Sequence, residues 1–227
     1  MEYVNVARAT SERGEIVLRE RLDPDADARA PRILELRVNG VFVMDTLETG
    51  SERGLAAVAL AQVPNPRHVL VGGLGLGFTM HEVLADSRVE RVVVVEIEDA
   101  LVRWMRDGTV PHGPAYLADE RLTVIVADIR TAIVEATPEA YDLVVLDVDN
   151  GPDFLVYDDN ATIYQHEFLG GVRDCLREGG ALVIWSSAES PTLQGEMQAV
   201  LGGAVAIPFD VTLQNREEQY WVYLARR

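Results

Sequence analysis

The sequence contains no lysine: all 20 of its basic residues are arginine. That excludes Schiff-base chemistry on a lysine and the phosphate-binding lysine of a P-loop. Cysteine is nearly absent as well. Cys175 stands alone, so no disulfide forms within the chain, which fits a reducing, cytoplasmic setting. No apolar run approaches the ~20 residues of a membrane-spanning helix. The opening Met1-Glu2-Tyr3-Val4-Asn5 is mixed and polar where a secretory signal is basic and then apolar. The expectation is a cytoplasmic protein without a membrane partner. Positive charge is scarce, since 37 acidic residues against 20 basic ones leave −17 at pH 7. Such a field repels nucleic acid, and no arginine cluster offsets it, so no nucleic-acid partner is expected. The same acidity serves solubility and also suits a cationic substrate, and net charge alone does not choose between them.

Metal-binding patterns fail one by one, and no metal is expected. The four histidines are scattered. His81-Glu82 opens a zinc-protease helix motif, but Ala85 replaces the second histidine. Asp147-Val148-Asp149 opens a calcium loop, but Gly151 falls on a ligand position.

What is present divides into two patterns. Residues 1–50 carry short alternating runs (Tyr3 to Ala9, Glu15 to Glu20, Arg32 to Val38, Val41 to Asp45), with Asn39-Gly40 as a hairpin turn and Asp23 to Asp27 as a loop. They predict a small antiparallel β unit. From residue 51 to 227, apolar strands at His68–Val71, Arg91–Glu96, Leu122–Val126, Leu143–Asp147 and Ala181–Trp185 alternate with helices. The helices are predicted at Glu52–Val63, Thr79–Ala85, Asp99–Arg106, Ile129–Glu135 and Ile163–Leu176. Strands such as Val92-Val93-Val94-Val95 are apolar on both faces and belong inside a covered parallel sheet. The fold class is therefore α/β: a doubly wound, mostly parallel sheet of Rossmann-like type, closed by an antiparallel pair at Ala204–Phe209 and Tyr220–Ala225.

The strand Val69-Leu70-Val71 runs into Gly72-Gly73-Leu74-Gly75-Leu76-Gly77 and then a helix. Glycines there let backbone approach a ligand beyond the strand ends, and the acid Glu96, ending the next strand, is placed to hold ribose hydroxyls. The dinucleotide fingerprint fails, because Phe78 or Met80 stands where its last small residue belongs. An adenosyl group without phosphates fits better. Asp128 has two readings, a partner for the adenine amino group or an N-cap for the following helix. Gly73, Gly75, Gly77, Glu96 and Asp128 are the candidate cofactor-binding residues, with the adjacent Ile97 and Ile129. Asp147 sits at the end of the fourth strand, where the reacting part of a ligand lies. Asp149 and Asn150 read as turn formers.

The stretch from Asn65 to Ser187 resembles the spermidine synthase (polyamine aminopropyltransferase) family, which has the class I methyltransferase fold. The matching pieces are PNPRHVLVGGLGLGFTMHEVL, VVVVEIEDALV, DERLTVIVADIRTAI, YDLVVLDV and IYQHEFLGGVRDCLREGGALVIWSS. The resemblance implies a transferase using S-adenosylmethionine or its decarboxylated form, with a homodimer as the usual assembly. It sets Glu96 on the ribose, Asp128 on the adenine, and Asp147 at the first aspartate of the catalytic D-[ST]-[ST]-D-P motif. The chain also departs from the family. Leu76 stands in the glycine turn where the family carries an aspartate for the aminopropyl amine. Ser51-Glu52-Arg53 replaces a Tyr-His-Glu triplet, and Asp-Val-Asp-Asn-Gly-Pro replaces the catalytic motif. Gaining Arg53 and losing the aspartate suggest recognition of a carboxylate, hence intact S-adenosylmethionine with methyl or aminocarboxypropyl transfer to a small, cationic acceptor. The alternatives are aminopropyl transfer from the decarboxylated donor and a non-catalytic nucleoside-binding module. Arg53 has a plainer reading as a surface partner of Glu52 or Glu48. Asp147 is the expected catalytic residue, with Tyr157 as a helper on a lid formed by residues 153–160 and the N-terminal hairpin.

Overall fold

The alternating runs at the start do fold into strands. The computed structural model describes residues 2–22, 31–213 and 216–227; the loop read at Asp23 to Asp27 lies outside them. Strands β1 (Glu2–Ser11), β2 (Gly14–Leu22), β3 (Ile33–Val38) and β4 (Val41–Asp45) form an antiparallel sheet in that order. Asn39 and Gly40 both take positive φ, 51° and 78°, the backbone that a two-residue hairpin needs. The period-2 pattern buries Ile16, Leu18, Leu34, Leu36 and Val38 on one face. Glu35 points to the other face. It is buried beneath Arg19 and Arg37, whose guanidinium groups donate to its Oε1 at 2.9 and 2.8 Å.

The rest of the chain alternates as expected: α1 (Gly50–Gln62), β5 (His68–Gly72), α2 (Phe78–Ala85), β6 (Arg91–Glu96), α3 (Asp99–Asp107), a single turn α4 (Gly113–Tyr116), β7 (Leu122–Val126), α5 (Ile129–Glu135), β8 (Tyr141–Leu146), α6 (His166–Cys175), β9 (Leu176–Ser186), α7 (Pro191–Leu201), β10 (Ala204–Leu213) and β11 (Arg216–Arg226). The strand order is β10-β11-β9-β8-β5-β6-β7. Strands β5 to β9 are parallel, and β10 and β11 close the sheet antiparallel.

Residue parity assigns the two faces. Val69, Val71, Val92, Val94, Leu143 and Val145 pack with α1, α2 and α3. Leu70, Val93, Val95, Val144 and Leu146 pack with α5, α6 and α7. The apolar face of the N-terminal sheet joins the first of these clusters, so Leu18, Leu34 and Leu36 share a core with Leu55 and Val71. Two elements depart from the expected boundaries. The helix anticipated over 163–176 is a 3₁₀ helix, Asp158–Tyr164, followed by α6; Gln165 between them is extended at φ −100°, ψ 159°. Helix α7 was not anticipated, although Ser190 caps it through the Leu193 N–H and Pro191 occupies its first turn.

Because the two sheets share one core, truncating Leu36 to alanine is expected to destabilise the whole chain by about 2–5 kcal/mol. Far-ultraviolet circular dichroism should show one shifted cooperative transition, whereas separate melting of the N-terminal sheet would contradict the shared core.

Candidate active site

The sheet order reverses between β5 and β8, and in open α/β sheets the crevice beyond the strand ends at that switch point takes the ligand. Two backbone features build it here. Asp147 N–H donates to the Gly72 carbonyl at 2.8 Å, joining the glycine turn to the end of β8. Gly73 holds φ +90°, and a Cβ there would lie 2.0 Å from the Asp147 carbonyl oxygen, so only glycine allows this approach. Above the turn, Met44 of β4 receives the Leu76 N–H on its sulfur at 3.2 Å. The N-terminal sheet thus roofs a cleft of about 1160 Å³, counted to its open mouth.

Eight carboxylates line this cleft: Asp45, Glu48, Glu52, Glu96, Glu98, Asp128, Asp147 and Asp149. No arginine or histidine does, among the described residues. The strand order spreads them in sequence. At the ends of β6 and β7 stand Glu96, Glu98 and Asp128. Buried Glu96 accepts the Leu74 N–H and the Glu98 N–H, both at 2.8 Å, and burial raises its pKa. Asp128 caps α5 through the Arg130 N–H at 2.8 Å and holds the Arg130 guanidinium on both oxygens. That pairing holds its carboxyl below the usual range. Glu98 is clamped by Arg13 Nε at 2.9 Å and by the Tyr157 hydroxyl at 3.0 Å, while Arg13 Nη2 donates to the Ile97 carbonyl at 2.9 Å. This half of the cleft carries guanidinium partners.

The other half has none among the described residues. Asp147 accepts the Thr79 hydroxyl at 2.7 Å, and burial raises its pKa. Glu52, in the first turn of α1, is buried and accepts the Ser51 hydroxyl at 2.9 Å. Burial and the charge of Asp147 push it up to about 7. Asp45 accepts the Leu47 and Glu48 amides at 2.9 and 2.8 Å, and Glu48 accepts the Gly50 amide at 2.7 Å. Asp149 accepts the Asn150 and Val156 amides and Asn160 Nδ2 at 2.6–2.7 Å, which makes it the organiser of the loop after β8. Tyr220 of β11 closes this end, its hydroxyl pushed up to about 12 by burial and by Glu52.

Residues 48–203 match the model of the spermine/spermidine synthase domain. The chain belongs to the spermine/spermidine synthase family. Among curated relatives, polyamine aminopropyltransferase 2 of Hyperthermus butylicus is 35% identical over 150 residues, 64% of this chain and 46% of that one. Putrescine N-methyltransferase 2 of Nicotiana tabacum is 32% identical over 133 residues, 58% of this chain and 35% of that one. This family member thus spans less than half the length of those two relatives. Among solved structures, a spermidine synthase in complex with the transition-state analogue AdoDATO aligns over 98% of this chain and 73% of its own, with TM-score 0.80 and 18% identity. The spermidine synthase of Thermotoga maritima aligns over 98% and 72%, with TM-score 0.78 and 17% identity. At that identity the two structures speak to the fold, which is the expected one.

Of the residues singled out by sequence, Gly73, Gly75, Glu96, Ile97, Asp128, Ile129, Asp147 and Tyr157 meet around the cleft. Gly77 does not line it; left-handed at φ 89°, it is the N-cap of α2. Arg53 is not brought to it either. Its guanidinium donates to Glu82 at 3.0 Å and to Thr49 at 3.3 Å, so its partner in the fold is Glu82 rather than Glu48 or Glu52. The reason is helical: Glu52, Leu55, Ala56, Ala59 and Leu60 form the buried stripe of α1, and Arg53 lies one residue, about 100°, around from Glu52. Leu76 is fully buried away from the cleft, and Gly75 is the turn residue that lines it. Asp128 is an N-cap as well as a cleft residue. Tyr157 engages Glu98 rather than Asp147, and burial with that neighbouring acid raises its pKa. Sequence reasoning missed Arg13, Asp45, Glu98 and Tyr220, and it named Glu48 and Glu52 as surface partners for Arg53, and Glu52 as a departure from the family, without placing either in the site. A carboxylate on the apolar stripe of α1 was the available signal for Glu52. Among the described residues, no group of three or more His, Cys, Asp or Glu is placed to hold a metal ion.

Glu52 carries a stability signature. Its carboxyl titrates at about 7 in the fold against 4.5 in the open chain. Between those values the folded state keeps a proton that the unfolded state has lost, so stability falls as pH rises through that window. Glu52→Gln removes the effect. The variant is expected to exceed the parent at pH 8 by on the order of 3 kcal/mol and to match it near pH 4. Urea unfolding midpoints at the two pH values check this; equal midpoints at pH 8 would contradict it.

Proposed function

We propose that this chain transfers an alkyl group from an adenosyl sulfonium donor to a small cationic amine, with aminopropyl transfer from decarboxylated S-adenosylmethionine to a polyamine as the leading form. One observation carries the reading: five carboxylates at one end of the cleft face the ligand space without an arginine or histidine among the described residues. A cation is the counterpart such a site lacks, since isolated buried carboxylates otherwise lose their charge. The family and the name of the Hyperthermus relative support the aminopropyl form. The intact donor loses its main support, because Arg53 is spent on Glu82 and no basic residue among the described ones lines the cleft.

Glu96 would hold the ribose and Asp128 the adenine, with Ile97 and Ile129 against the base, while Gly73 and Gly75 let the backbone approach. The donor supplies an activated carbon on a positively charged sulfur that leaves as a neutral thioether. The residues of this chain therefore bind, align and exclude water. Asp147 at the switch point orients the acceptor ammonium, and the residues clamped on Glu98 keep the roof over the nucleoside. A second reading, N-methyl transfer from intact S-adenosylmethionine, is favoured by the name of the Nicotiana relatives and by the missing aspartate of the glycine turn.

Incubation with putrescine and each donor in turn, followed by mass spectrometry of the amine, separates the two forms. An aminopropyl adduct with the decarboxylated donor is expected. A methyl adduct with the intact donor would select the second reading, and no adduct with either would refute both. Asp147→Asn is expected to cut turnover by about 10²-fold or more while leaving methylthioadenosine affinity within about twofold, because the nucleoside end is untouched. Equal loss of nucleoside binding would place Asp147 on the donor instead.

A further inference from the structure

A second cavity lies at the opposite end of the main sheet, where β5, β6 and β8 begin. Helix α5 is about two turns long and covers the sheet through Ile129 and Ile133 near the strand ends. Farther down the same face, the side chains that α5 and the following turn set against the sheet are small: Ala132, Ala136 and Ala140. They leave a hollow of about 1190 Å³, counted to its open mouth, walled by Val93, Ile125 and Ala127. Ile125 is 42% exposed there, on a face that is otherwise covered.

The rim of the hollow is a row of hydrogen-bond donors. His68 and Arg91 are the paired first residues of β5 and β6, and Tyr141 opens β8 on the other side of β5. Adjacent strands stand about 4.8 Å apart, so the three are neighbours. The tautomer of His68 follows from its partner. Arg177 Nη2 lies 3.0 Å from His68 Nδ1, and a guanidinium only donates, so Nδ1 accepts and Nε2 carries the proton. Arg177 is otherwise spent on Asp142, which takes Nη1 on both oxygens at 2.9 Å, and on the Glu139 carbonyl at 3.0 Å. Glu90, next to Arg91, is paired with Arg67. The His68 Nε2–H, the Arg91 guanidinium and the Tyr141 hydroxyl thus have no protein acceptor among the described residues. Arg91 lies close enough to act on the phenol: burial and Cys175 raise the Tyr141 pKa, and the Arg91 charge pulls it back. The one acid on the wall, among the described residues, is Glu135, exposed at the end of α5.

We propose that this hollow is a second ligand site, for a small monocarboxylate with an apolar body. The carboxylate only accepts, and it takes the Arg91 guanidinium and the His68 Nε2–H, with the Tyr141 hydroxyl beside them. The apolar body rests on Val93, Ile125 and Ala136. A single unpaired guanidinium matches a single negative charge, and Glu135 opposes a dianion. Ala127 and α5 separate the hollow from the catalytic cleft, whose lining is acidic. The two cavities therefore select ligands of opposite charge, and the assignment stands apart from the amine-transfer reading.

Benzoate serves as the probe, titrated calorimetrically into the full chain at pH 7 with methylthioadenosine in excess. Saturable binding is expected, with a dissociation constant on the order of millimolar for so small a ligand. Benzamide, alike in shape but uncharged, should bind about tenfold more weakly or less still. Arg91→Gln removes the charge at an exposed position and should weaken benzoate about tenfold or more, with the thermal midpoint unmoved. Ala136→Leu should fill the hollow and abolish binding while leaving the rim intact. Benzoate that fails to saturate, that binds only when methylthioadenosine is withheld, or that binds Arg91→Gln as well as the wild type would overturn the assignment. Equal affinity for benzoate and benzamide would overturn it too.

Discussion

The crowding of carboxylates at the switch point is the constraint on which the rest of this molecule depends. Eight acidic side chains face one cleft, and at close range in a poorly screened interior their mutual repulsion is substantial. The fold tolerates it by supplying neutral donors nearly everywhere: the glycine-turn amide on Glu96, the Thr79 hydroxyl on Asp147, three N–H groups on Asp149. Among the described residues arginine is used at two of the eight, Arg130 on Asp128 and Arg13 on Glu98, and both lie at the β6–β7 end. The cleft is therefore electrostatically polar along its length. One end is balanced and suits an uncharged nucleoside, while the other is anionic and suits a sulfonium and an amine.

The N-terminal sheet is part of this arrangement rather than an ornament on it. Its hairpin tip reaches Glu98 and Ile97 through Arg13, its Met44 rests on the glycine turn, and its Phe42 carbonyl meets Asn150 Nδ2 at 3.5 Å. Glycine at position 75 is explained by the same contact, because a Cβ there would lie 2.7 Å from the Met44 sulfur. The loop after β8 reaches the same clamp through Tyr157. Two segments distant in sequence, the β1–β2 hairpin and the loop after β8, thus converge on Glu98, and together they set the height of the roof over the nucleoside end.

Much of this was legible in the sequence, for reasons that are local. The tetrad of valines before Glu96 marks a strand covered on both faces, and the glycine turn, Asp128 and Asp147 each follow directly from where a strand stops. The Asn39-Gly40 hairpin is likewise a property of two adjacent residues. What was not legible depends on which elements meet. Arg13, Asp45, Glu48 and Tyr220 belong to the roof and to the far edge of the sheet, and nothing near them in sequence places them over the strand ends. Arg53 shows the opposite error. Judged by charge alone it pointed to a carboxylate, yet a rotation of one residue along α1 carries it to Glu82 and leaves Glu52 on the buried stripe. Leu76 was misjudged in the same way, since the turn directs it into the core and exposes Gly75. Reading α1 as a helix with a defined apolar face corrects the first of these; the second needs the conformation of the turn itself.

The central claim is that the acceptor end of the cleft recognises positive charge. Its most direct test compares the affinity of 1,4-diaminobutane with that of its uncharged counterpart 1,4-butanediol, which matches it in length and hydrogen-bonding ends. The account predicts saturable binding of the diamine, weakening as salt is raised, and no measurable binding of the diol. Comparable affinities for the two, or a diamine affinity indifferent to salt, would contradict it.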